Sequence, residues 1–109
     1  MAYDEGLAQL IREDLEGLPG ITEKKMFGGL CFLMHGNMVC GVLKGGAIFR
    51  IGKANDAAAR ALPGVGDMTF TGKPMASMVQ ADAEATDDDA TRAALMAMSV
   101  ATARALPPK

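Results

Sequence analysis

The chain has 109 residues, half of them hydrophobic, with 11 basic and 13 acidic side chains and a formal net charge of -2. That length suits a single domain, 1–109, around one core, and the hydrophobic share argues against a disordered chain. The acidic balance argues against a dedicated nucleic-acid binder, whose affinity rests on basic side chains meeting phosphates, although a local basic patch survives any net charge.

Leu7, Leu10, Ile11, Leu15 and Leu18 recur at steps of three and four, which predicts an amphipathic first helix with Asp4 as its N-cap. Pro19-Gly20 ends it. Thr22 to Met26 reads as a short edge strand guarded by Lys24 and Lys25. Leu30 to Met34 is a continuous apolar run, His35-Gly36-Asn37 supplies turn chemistry, and Met38 to Leu43 is the return strand. The span 26–43 has no charged residue, but its central turn and its glycines favour two strands over a membrane helix.

Lys44-Gly45-Gly46 is a second turn, followed by a strand from Ala47 to Ile51. Asn55 stands at the start of a helix over Ala57 to Leu62, closed by Pro63-Gly64. Short strands are expected at Met68 to Thr71 and Met78 to Ala81, around an exposed loop at Gly72-Lys73-Pro74. Thr86 and Asp89 resemble a capping box for a long helix over Ala90 to Ala105, with Ala94, Leu95, Met98, Ala101 and Thr102 on one face. Strands cluster between helices, so the expected class is α+β, two-layered, with helices on a largely antiparallel sheet.

Catalytic chemistry is sparse. Cys31, Cys40 and His35 are the only thiols and the only imidazole. A Cys–His pair needs the ring within reach of a thiol, and a turn histidine points to solvent. Both cysteines read as small core residues. Whether they face each other depends on hairpin register, and no disulfide is assigned. Three such groups fall short of a structural zinc site, and Asp87-Asp88-Asp89 suits a helix start better than a metal. No metal, cofactor or catalytic residue is therefore assigned. The acidic N-terminus lacks a secretory pattern and the cysteines are few, which predicts a cytoplasmic protein.

Several segments carry a resemblance. They are Lys25-Met26-Phe27-Gly28-Gly29-Leu30-Cys31-Phe32, Gly36-Asn37-Met38, Ile48-Phe49-Arg50-Ile51-Gly52 and Phe70-Thr71-Gly72-Lys73-Pro74-Met75. With them the chain resembles the TfoX N-terminal domain family, as a standalone member. That resemblance implies a secretion-chaperone-like α+β fold and a co-activator role in bacterial competence. Two-domain members of the family continue into a second helical domain, where this sequence ends. It implies no catalytic residues.

The expected function is thus a non-enzymatic protein-interaction module in transcriptional regulation. Its expected partner is a transcription regulator or RNA polymerase. Direct nucleic-acid binding, small-ligand binding and a homodimer are the competing readings. The candidate interaction surface comprises Lys24, Lys25, Lys44, Arg50 and Lys73. The candidate structural motif comprises Met26, Phe27, Gly28, Gly29, Gly36, Gly72 and Pro74.

Overall fold

The structure is a computed structural model, and it describes residues 4–26, 29–43, 46–67 and 77–107. Asp4 starts the first helix, α1 (Glu5–Asp14), by accepting hydrogen bonds from the amides of Gly6 and Leu7 at 2.8 and 3.2 Å. These are two of the donors that a helix start leaves without a backbone partner. Leu7, Ala8 and Ile11 are buried on its inner face, and Leu15 just beyond it. Leu10 is not part of that face. Burial of Ala8 turns the helix so that Leu10 stands at the rim, 37 % exposed. The helix also stops before Leu18, which packs half-buried against the core.

Four strands follow: β1 (Ile21–Met26), β2 (Gly29–Met34), β3 (Asn37–Leu43) and β4 (Gly46–Phe49). The β2–β3 turn has only two central residues, His35 and Gly36, at φ +51° and +85°. Positive φ at both positions matches the right-handed twist of a hairpin. Asn37 is therefore not a turn residue. It opens β3, pairs with Met34, and is buried with its side-chain amide donating to the carbonyl of Pro107 at 2.9 Å.

A bulge interrupts β3. Phe32 pairs with Cys40 but Leu33 pairs with Met38, so Val39 is extra. Both Val39 and Cys40 consequently reach the core. The same register places Cys31 opposite Gly41. The two thiols thus point to opposite faces of the sheet and are free. No disulfide joins them in this register.

Lys53–Asn55 forms a 3-10 turn, and α2 (Asp56–Arg60) continues from it. Asn55 does not cap α2; its side chain donates back to the carbonyl of Ile51 at 2.8 Å. The next strand is β5 (Val65–Asp67), and the expected strand at Met68–Thr71 lies outside the described residues. β6 (Val79–Asp82) completes a six-stranded sheet in the order β1-β2-β3-β4-β6-β5, antiparallel at every pairing.

The last helical run is divided. Asp82 caps α3 (Ala83–Asp87) through the amide of Ala85, and Asp88 then turns extended and caps α4 (Asp89–Arg104). Asp88 accepts from both the amide and the hydroxyl of Thr91, at 2.9 and 2.6 Å. The Thr86–Asp89 capping box does not form. Thr86 lies inside α3, and its hydroxyl donates to the carbonyls of Asp82 and Ala83. The α4 face is also turned from the expected one. Thr91, Arg92, Leu95, Met96, Ser99 and Ala103 are buried, and Ala101 is exposed. An alanine-rich helix is apolar on most sides, so its own pattern does not decide which side packs.

Helices α1 to α4 all contribute to one core with the same sheet face, where Phe32, Phe49, Ile11 and Leu95 are fully buried. Each such side chain contributes roughly 1.5–3 kcal/mol by leaving water. On the opposite face Ile48 and Met78 form a second, smaller cluster with Met38 and Leu43. The architecture is therefore α+β, with the helices layered on one side of an antiparallel sheet. Among the described residues no helix is long and apolar enough to cross a membrane.

Candidate interaction surface

Of the expected cationic residues, Lys24 and Lys25 sit together on β1, the sheet's outermost strand, and both are exposed. Successive strand residues face opposite sides. Lys25, opposite Leu30 of the main core, is on the helix side. Lys24, opposite Cys31, is on the far side. Arg50 follows β4, three strands away, so about 14 Å of sheet separates it from β1. The structure does not bring Arg50 to the lysine pair. Lys44 and Lys73 lie outside the described residues.

Ion pairing ties this edge to α1. The Arg12 guanidinium donates to both carboxylate oxygens of Glu23 at 2.6 and 2.8 Å, and also to the side chain of Gln9 at 2.8 Å. The hydrogen bond from Arg12 holds the Glu23 carboxyl below its usual range, against an opposing push from partial burial. Between the end of α1 and the start of β1 lies a hollow of about 430 Å³. Leu15, Leu18 and Ile21 give it an apolar side, and Gln9, Glu13 and Glu16 a polar one.

In the expected motif, Gly36 supplies the positive φ of the tight turn. Gly29 opens β2 where a Cβ would collide with the carbonyl oxygen of Val42. Both roles are structural. Phe27, Gly28, Gly72 and Pro74 lie outside the described residues, as does the side chain of Met26.

The thiols offer no activated nucleophile. Burial pushes the Cys31 thiol up, and burial, with Cys31 and Asp14 nearby, pushes that of Cys40 up much further. Both remain protonated at neutral pH, whereas thiolates do the chemistry. His35 is exposed in its turn, at the far end of β2 from Cys31. A second hollow of about 340 Å³, between α1 and α3, is lined by Asp4, Leu7, Leu10, Thr86 and Asp87 and not by these three residues. Among the described residues no three His, Cys, Asp or Glu side chains gather as metal ligands.

One charged residue of consequence is not evident in the sequence. Arg92 is buried in α4 and reaches Asp14 of α1 at 2.8 Å, Asp89 at 3.0 Å and the carbonyl of Thr86 in α3 at 2.9 Å. It clamps three helices together. Its only trace in the sequence is its place three residues before Leu95, on the same side of the helix.

Comparison with family models decides the membership. The model of the TfoX N-terminal domain matches residues 13–103. The chain belongs to the TfoX N-terminal domain family. The match runs from the last two residues of α1 to one residue short of the end of α4, so it includes the edge strand, the hairpin and the Arg92 clamp. Comparison with curated proteins and with solved structures gives no match.

Proposed function

We propose that this TfoX N-terminal domain is a non-enzymatic protein-interaction module that acts as a transcriptional co-regulator in the cytoplasm. Family membership is the observation that carries the reading. The local chemistry is in keeping with it. The thiols are buried and protonated, and the lone histidine stands apart from them. Lys24 and Lys25 stand exposed on the outermost strand, and a sheet edge is a common place for one protein to receive another. The partner is a transcription regulator or RNA polymerase.

The reading is tested by affinity capture of the tagged protein from its own cells, with half the sample treated with nuclease and the bound proteins identified by mass spectrometry. A regulator or polymerase subunit retained after nuclease supports the module. Recovery only in untreated samples transfers the function to nucleic acid, and steep salt dependence of binding would accompany it. Capture of no regulator or polymerase in either half sinks the co-regulator assignment.

A further inference from the structure

The backbone of β1 has one side unused by the sheet. The amide of His35 donates to the carbonyl of Gly20, so Gly20 and His35 form a bonded pair at the mouth of the β1–β2 ladder. In an antiparallel ladder bonded pairs alternate with non-bonded ones. Thr22 and Lys24 therefore bond to β2 through their partners Leu33 and Cys31. Ile21, Glu23 and Lys25 turn their N–H and C=O groups outward. Among the described residues β1 pairs only with β2.

Self-pairing through this edge is disfavoured. Outward groups must meet outward groups, so the possible registers set odd-numbered residues against odd-numbered ones. Placing Glu23 against Lys25 of a second copy sets Lys24 against its own copy, with Cα atoms about 4.5 Å apart. Placing Glu23 against Glu23 opposes two carboxylates. The same lysines that discourage a second copy attract carboxylates from a different chain.

The ends of the edge differ. At the Lys24–Lys25 end there is a cation on each face of the sheet. At the Ile21 end the apolar hollow opens on the helix side; Glu13 and Glu16 line it, and the Arg12 guanidinium that also lines it is already engaged by Glu23, which together disfavour an acid there. We propose that β1 takes up an extended acidic segment of another protein as a seventh, antiparallel strand. Its acidic residues lie opposite Lys25 and Lys24, and a large apolar side chain seats beside Leu15, Leu18 and Ile21. In the antiparallel sense of the other pairings, the segment reads acid-acid-x-x-apolar. The inference rests on the interaction-module reading and names the kind of partner that module takes.

The test uses the labelled peptide Asp-Asp-Thr-Thr-Leu with blocked ends, and the same residues permuted as Leu-Asp-Thr-Asp-Thr. Binding is followed by fluorescence anisotropy and by amide chemical shifts of the protein. The expected result is preference for the first peptide, with the largest shifts at Ile21, Glu23 and Lys25. Lys24→Glu with Lys25→Glu should weaken binding roughly tenfold, the combined effect of reversing two exposed charges.

Lys25→Pro should weaken binding more than Lys25→Ala. Proline removes an outward N–H without touching the β1–β2 ladder, so thermal melting should show both variants folded. Equal binding of both peptides, shifts centred elsewhere, tighter binding of a single-stranded oligonucleotide, or no binding at about 1 mM peptide would each overturn the inference. If cellular capture of a regulator survives Lys24→Glu with Lys25→Glu undiminished, the module stands and this docking mode falls.

Discussion

Arg92 and Arg12 both fork onto carboxylates of neighbouring elements, yet they hold very different parts of the molecule. Arg92 is 8 % exposed and joins α1, α3 and α4 inside the helix layer, where a backbone carbonyl completes its hydrogen bonds. Arg12 is 41 % exposed and joins α1 to the edge strand through Glu23, itself 35 % exposed. The chemistry of the pairs is similar; water decides their energies. A desolvated guanidinium must keep its partners, and losing them is costly. An exposed pair trades its partner for solvent at little loss. The helix layer is accordingly locked, whereas the tie between α1 and the edge strand is an exposed contact that a partner can replace.

The largest expected effect follows from removing the locked pair. Arg92→Ala should destabilise the protein by about 3 kcal/mol, read from chemical denaturation. That is the lower end of the range for breaking a buried pair, because Asp14 and Asp89 retain access to water, at 30 % and 90 % exposure. Part of the loss is packing by the aliphatic stem. A cost below about 1 kcal/mol would place Arg92 with the exposed pairs and dissolve the contrast.

Arg92→Lys isolates geometry from charge. A lysine ammonium cannot span Asp14, Asp89 and the Thr86 carbonyl with one planar fork. The expected cost is about 1–2 kcal/mol, comparable to one or two lost hydrogen bonds to a charged group. Stability equal to the parent protein would show that charge alone serves the junction. By comparison Arg12→Ala should cost about 0.2–1 kcal/mol and lose most of that effect in 1 M salt. A salt-independent loss as large as that of Arg92→Ala would overturn the assignment of Arg12–Glu23 as a weak, exposed tether.

The contrast also shows how far the sequence could be read. The α+β class, the Asp4 cap, the central hairpin and the edge position of Lys24 and Lys25 were legible, because local periodicity and turn chemistry dictate them. Other features depend on tertiary partners. The bulge that buries both Val39 and Cys40 leaves no local pattern. Asn37 looked like a turn residue, and only the distant Pro107 carbonyl explains its burial. Arg92 belongs to the same group, since Asp14 is 78 positions away. The division at Asp88 was missed because three consecutive aspartates offer three plausible caps, and tertiary placement of α3 selects one. Of the candidate surface, Lys24 and Lys25 were brought together by adjacency in one strand, whereas Arg50 was separated by sheet order.

The smallest expected effect is also the one that isolates the edge pair most cleanly. Arg12 lowers the Glu23 carboxyl below its ordinary value of 4.5. A carboxyl lowered on folding stabilises the native state above its unfolded value and loses that contribution as pH falls through the folded value. The stabilisation from Glu23 should therefore be complete at neutral pH and decline only in the acid range below about 4.5. Glu23→Gln should leave a shallower acid limb in a plot of stability against pH, with only a small change at pH 7. Arg12→Ala should flatten the same limb, because it removes the cause of the shift. Asp88, also lowered by its bonds to Thr91, is untouched by either variant and keeps a residual acid slope in both. An acid limb unchanged in Glu23→Gln would mean that the bond between Arg12 and Glu23 does not persist in solution. The β1 edge would then have no tether to α1 through this pair.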